Sequence, residues 1–203
     1  MIDGLTFQAE GHVYRYGGTR VPSVTQVLTP FHDFGMVDRD VLAAACEFGT
    51  NVHAAVHLFN QEELDEESLA PPLVPYLDAY KAFLRVTGFK VEQSEIRVYH
   101  KVMRYAGQID FAGTWQGTSW VVDIKSGVLP STVGLQLAAY QAAMPIRPRN
   151  RLCLQLSETG YKLHRCTKTT DFNDFTSTLN FHRLLEKHNP RSLNNGYANL
   201  YPN

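Results

Sequence analysis

Gly107-Gln108-Ile109-Asp110, followed by Val121-Val122-Asp123-Ile124-Lys125, is the stretch whose reading decides the fold. Both segments have the composition of strands, and strand side chains alternate between faces. That alternation puts Ile109 and Phe111 on one face and Asp110 on the other. It likewise sets Val122 and Ile124 against Asp123 and Lys125. The intervening Thr114-Trp115-Gln116-Gly117-Thr118 is turn-like, so the two strands pair as a hairpin. Two carboxylates and one ammonium then converge on a largely apolar sheet. Such charges are costly to bury unless they are paired or bind metal. A divalent cation held by Asp110 and Asp123 beside Lys125 is the most economical reading.

Working outward, Val91–Tyr99 reads as a strand before the hairpin, with imperfect alternation, and residues 134–144 read as a helix stopped by Pro145. Arg149–Leu156 and Tyr161–Arg165 suggest a second hairpin. Asp171–His188 reads as the last helix, closed by Asn189-Pro190. On the N-terminal side, Thr6–Gln8 and Val13–Tyr16 suggest short strands, Gly17-Gly18 a turn, and Arg20-Val21 a return. Ser23 is placed to cap a short helix over Val24–Leu28. Asp38 or Asp40 caps a longer helix to about Phe59, with Leu42, Ala45, Cys46, Gly49, Val52, Val56 and Phe59 on its apolar stripe. Leu73–Val86 is a further helix, ended by Gly88. The expected class is α/β (α+β): a central mixed sheet flanked by helices, in the order helix–β–β–β–helix–β. A single domain over 1–203 is expected, with an N-terminal hairpin segment at 1–35, a core at 36–190 and a polar tail at 191–203.

The 203 residues are 44% hydrophobic, ordinary for a globular chain with a real core. No apolar run reaches the roughly 18 residues of a membrane span, and the N-terminus lacks a secretory pattern. Cys46, Cys153 and Cys166 are widely spaced and form no C-x-x-C pair. That fits a reducing, cytoplasmic setting and argues against a disulfide framework or an iron–sulfur cluster. The net charge of −1 hides an asymmetry. Residues 1–70 carry 3 basic and 11 acidic side chains, whereas residues 141–203 carry 9 and 4. A local basic face for a polyanion is therefore available, although bulk charge does not demand one.

Five short motifs stand in order along the chain: Gly49-x-x-x-His53, a strand carrying Glu95, Gly107-x-x-Asp110, Asp123-Ile124-Lys125 and Gln136-x-x-x-Tyr140. Together they resemble the PD-(D/E)XK nuclease superfamily, specifically its RecB-like exonuclease branch. In addition, Val21-Pro22-Ser23-Val24-Thr25-Gln26-Val27-Leu28 resembles a segment of mitochondrial genome maintenance exonuclease and its phage relatives. That resemblance implies a metal-dependent DNA exonuclease acting in phage or bacterial recombination, repair or end processing. A structure-selective or flap endonuclease, or a silent DNA-binding or inhibitor protein of the same fold, are the alternatives.

The roles follow residue by residue. Asp110 and Asp123 would ligate one or two Mg²⁺ or Mn²⁺ ions, because hard cations take carboxylate oxygens. Lys125 would orient or deprotonate the attacking water and stabilise the phosphorane-like transition state. The resemblance adds His53 and the Ile124 carbonyl as ligands, and Glu95 as a contributor. Gln136 would hold the water or a phosphate, with Tyr140 packed against it. Ser23, Thr25, Tyr140, Arg149 and Arg151 would contact DNA, through either single strands or duplex ends. A recombination or single-strand-binding protein is the implied accessory, with no membrane involved.

Overall fold

The computed structural model describes residues 2–31 and 38–188. The expected tail and the Asn189-Pro190 stop lie outside these residues. β1 (Leu5–Gln8), β2 (Val13–Tyr16) and β3 (Thr19–Val21) form a small antiparallel sheet. Next come α1 (Val24–Leu28), α2 (Arg39–Asn60) and α3 (Val74–Thr87). The main sheet contains β4 (Lys90–His100), β5 (Tyr105–Trp115), β6 (Thr118–Lys125), β7 (Asn150–Ser157) and β8 (Gly160–Arg165), in that spatial order. α4 (Val133–Ala143) crosses between β6 and β7, and α5 (Asp171–His188) follows β8. β6 and β7 are parallel and the other neighbours antiparallel, so the sheet is mixed. The succession α3–β4–β5–β6–α4–β7 is the expected order.

Local chemistry explains the boundaries. Ser23 accepts from the Gln26 N–H at 3.0 Å while the Gln26 side chain accepts from the Ser23 N–H at 2.9 Å, a reciprocal cap for α1. Asp38 caps α2. Gly88 closes α3 in the left-handed conformation, with φ of 67°. The β5–β6 turn is tighter than expected: Gln116 and Gly117 alone make it, both with positive φ, as a two-residue hairpin requires.

The helices divide between two faces. Val24, Val27, Leu137, Phe175 and Leu179 from α1, α4 and α5 pack with Tyr105, Ile109, Val121 and Cys153. Val52, Val56, Tyr80 and Phe83 from α2 and α3 pack with Phe111, Val122, Ile124, Leu152 and Leu154. The small sheet contributes Tyr14 and Val21 to a third cluster with Tyr99 and Ala106. Ala45 and Cys46, expected on the buried stripe of α2, are exposed.

One expectation from strand alternation is corrected. Ile109 and Phe111 do not share a face: Ile109 packs under α4 and Phe111 under α2 and α3. The strand crosses over at Asp110. In the neighbouring β4, between the pairs Ser94–Phe111 and Ile96–Ile109, Glu95 takes a φ of 53°, a strained value for a residue with a side chain. The β5–β6 ladder also stops there, its last pair being Phe111–Val122, while β6 runs on beside β7 to Lys125–Gln155. β6 thus parts from β5 at Asp110. The edge of β5 that it vacates is taken by the N-terminal segment. The Ala106 N–H donates to the Pro22 carbonyl at 3.0 Å, and Ser23 bridges Ala106 in parallel.

Candidate active site

The parting of β5 and β6 sets the chemistry. With no ladder partner there, Asp110 uses its own side chain: Oδ2 accepts the Ile124 N–H, and Oδ1 lies 3.0 Å from His53 Nδ1 on α2. Asp123, only 3% exposed at its side chain, pairs with Lys125 through Oδ2 and Nζ at 2.7 Å. Sequence alternation alone placed Asp110, Asp123 and Lys125 together, and the structure brings them together. His53 reaches them from α2, whose Gly49 lies against Ser126, the residue after Lys125.

The electrostatics follow from burial and from these partners. Burial pushes Asp110 upward, but His53, Lys125 and the Ile124 N–H outweigh it and leave the carboxyl below its ordinary range. Asp123 moves the other way: burial dominates, Asp110 adds to it, and Lys125 offsets only part. Two carboxylates in one site push each other's titration apart. Burial lowers Lys125, yet Asp123 and Asp110 hold it above its usual value. His53 is likewise lowered by burial and raised more by Asp110.

Glu95 belongs to the rim. It accepts from Gln108 Nε2, while Gln108 Oε1 accepts from Arg97 Nε at 3.3 Å. Burial, then the charge of Asp110, raises Glu95 to about 7. A carboxyl raised in this way stabilises the fold least once it ionises. The penalty begins above pH about 4.5, grows through pH about 7 and stays full beyond it. Glu95→Gln therefore gains about 1 kcal/mol over the parent at pH 8 and nothing at pH 4, measured by urea melts in EDTA.

Gln136 and Tyr140 sit on α4, both buried, with Gln136 Nε2 donating to the Tyr140 hydroxyl at 3.2 Å. Burial and then the charge of Asp123 drive the Tyr140 phenol well above its ordinary value. The ring lies against the backbone of β5, and Gly107 is glycine for that reason: a Cβ there would stand 2.6 Å from Tyr140 Cε1. Gly107→Ala is expected to cost about 1–3 kcal/mol by overpacking, read as a lower urea midpoint.

The other predicted contacts fall elsewhere. Ser23 is fully buried and its hydroxyl is used by the cap and by Thr25 Oγ1 at 3.1 Å, so it presents nothing to solvent. Thr25 is half-buried beside it. Arg151, expected on a basic face, is instead 8% exposed. It pairs with Asp171 at 2.9 Å and donates to the carbonyls of Gly134 and Lys168. Arg149 is exposed, at the end of the sheet away from the aspartates.

A cleft of about 1270 Å³ opens over Asp110 and His53. Its walls include Gln108, Arg97, Phe7 and His12, none of which sequence reasoning singled out for the site. Gln108 shares strand parity with Asp110, a signal that was available. Phe7 comes from β1 and His12 from the turn between β1 and β2, and only the tertiary fold delivers them.

Among the described residues, no group of three or more His, Cys, Asp or Glu side chains forms a metal-binding cluster. Two buried carboxylates suffice for Mg²⁺, however, which is held by one or two carboxylates with waters and substrate phosphates making up the rest. Asp110 and Asp123 fit that requirement. His53 is engaged with Asp110 and would have to exchange that hydrogen bond to become a ligand.

No protein-family model matches the chain. No curated protein matches it. Among solved structures the chain is similar to an alkaline exonuclease, LHK-Exo, from Laribacter hongkongensis. That chain is 11% identical, with 74% of this chain and 86% of that one covered and a TM-score of 0.41. LHK-Exo in complex with dAMP is 12% identical, covering 89% and 94%, with a TM-score of 0.44. SSO0001 is 11% identical, covering 80% and 75%, with a TM-score of 0.39. Among the described residues, no helix is long and apolar enough to cross a membrane.

Proposed function

We propose that the protein is a metal-dependent deoxyribonuclease of the PD-(D/E)XK type that hydrolyses phosphodiester bonds from DNA ends. The observation that carries this reading is the meeting of Asp110, Asp123, Lys125 and His53 where β5 and β6 part, with Asp110 and His53 lining an open cleft. Asp110 and Asp123 would hold Mg²⁺ or Mn²⁺, with the Ile124 carbonyl, His53 and Glu95 as candidate further donors. A bound cation supplies charge neutralisation at the scissile phosphate and a more acidic water. The chain's own groups do the rest. Lys125, held by Asp123, directs its ammonium toward the site and stabilises the charge that develops on the phosphate. His53 and the Ile124 N–H fix Asp110. Gln136 and Tyr140 fix the α4 wall.

The test is digestion of end-labelled linear DNA, single- and double-stranded, beside a covalently closed circle, with Mg²⁺, Mn²⁺ or EDTA. Nucleotides should leave the linear ends with metal and not with EDTA, and the circle should stay closed. Opening of the circle would favour an endonuclease on the same residues. No cleavage with either metal would reject the enzyme reading.

A further inference from the structure

A second cleft, of about 940 Å³, shares no residue with the one over Asp110 and His53. It lies at the other end of the sheet. Trp120 and Asn150, the first register pair of β6 and β7, line it. Asp123 is three residues further along β6, about 10 Å at strand rise. Arg147, Arg149, Arg165 and Lys168 line the cleft and are exposed, and no acidic side chain lines it. Among the described residues, none of these four has a carboxylate within ion-pair distance. Arg151 also borders the cleft, but Asp171 neutralises it.

One of these cations rests on a rigid floor. The Arg165 guanidinium lies 4.9 Å from the Trp115 ring centre and 5.3 Å from that of Trp120. Trp120 is itself fixed, its Nε1–H donating to the Trp115 carbonyl at 3.1 Å and to Thr118 Oγ1 at 3.0 Å. A guanidinium stacked on aromatic rings loses little freedom on meeting an anion, and its remaining N–H groups point outward. Four uncompensated positive charges in a concave wall are self-repelling unless a polyanion fills it.

We propose that this cleft binds a stretch of nucleic-acid phosphodiester backbone, as a second anchoring site distinct from the aspartates. Its volume exceeds what one phosphate fills, and four separate cations match successive phosphates rather than one. The choice of nucleic acid over another phosphate ester rests on the nuclease reading.

Trp115 and Trp120 are the chain's two tryptophans, and both touch Arg165, so intrinsic fluorescence reports this corner directly. The experiment titrates the full chain in EDTA with a thymidine oligonucleotide, thymidine monophosphate or inorganic phosphate. The oligonucleotide should give a saturable fluorescence change whose affinity falls steeply with salt, about 0.7 log units per log unit of salt for each phosphate engaged. Arg147→Glu with Lys168→Glu should weaken it at least ~10-fold, and the corresponding Gln pair should weaken it less, with unchanged circular dichroism. Neither substitution touches a tryptophan contact. Equal affinity for the monophosphate or inorganic phosphate would overturn the strand assignment, and so would equal affinity of the charge-reversed variant. Because the titration holds no metal, absence of DNA cleavage by the parent would reject the nuclease reading without touching this result.

Discussion

Asp123→Asn is expected to leave the protein folded and to lower metal-dependent DNA cleavage at least ~100-fold, measured as initial rate on an end-labelled strand. Asparagine has the shape of aspartate, so packing under α4 is kept. What it loses is the negative charge that would share a divalent cation with Asp110 and that holds Lys125 at 2.7 Å. Lys125 retains Asp110 as a nearby counter-charge, which limits the structural cost. Circular dichroism should therefore match the parent while the rate collapses. A variant that is folded and equally active would remove Asp123 from the chemistry. A second readout separates the metal from the water-activating step. In the parent, Mn²⁺ at ~100 times its dissociation constant should stabilise the fold by about 2.7 kcal/mol, and in Asp123→Asn the same addition should do little.

Arg151→Ala is expected to have the largest effect on stability, a loss of about 3–5 kcal/mol. At roughly 2–4 °C per kcal/mol for a chain of this size, the melting temperature should fall by about 6–20 °C. The cost comes from Asp171, which is 3% exposed and would be left buried without its guanidinium partner. It also comes from the carbonyls of Gly134 and Lys168, which lose their donor. Together these contacts tie β7 to the start of α4, to the stretch after β8 and to the first residue of α5. A loss below about 1 kcal/mol would mean that water replaces the guanidinium, as at an exposed pair.

Much of this was legible in the sequence, for identifiable reasons. The β5–β6 hairpin was carried by strand-forming residues flanking a turn, and α1 and α3 were bounded by residues whose capping chemistry is local: Ser23 and Gly88. The meeting of Asp110 with Asp123 and Lys125 followed from the hairpin. The crossing of β5 from one face to the other was not legible. It depends on Glu95 holding a positive φ with no glycine to announce it, and on β6 turning away to pair with β7. Arg151 was misplaced for a related reason. A lone arginine before Leu152-Cys153-Leu154 reads as the exposed start of a strand. Its neutralising partner stands 20 residues later on another element.

The seam between Pro22-Ser23 and Ala106 has a practical corollary. The first two dozen residues precede every motif that carries charge, and a trimmed expression fragment would naturally begin after them. Such a fragment would strip a hydrogen-bonded flank from the very strand that presents Asp110. It would also uncover Tyr99 and Ala106, which rest against Tyr14 and Val21. The opening hairpin is thus masonry for the strand that carries Asp110, and shortening the chain from that end should undo the site before it disturbs the helices.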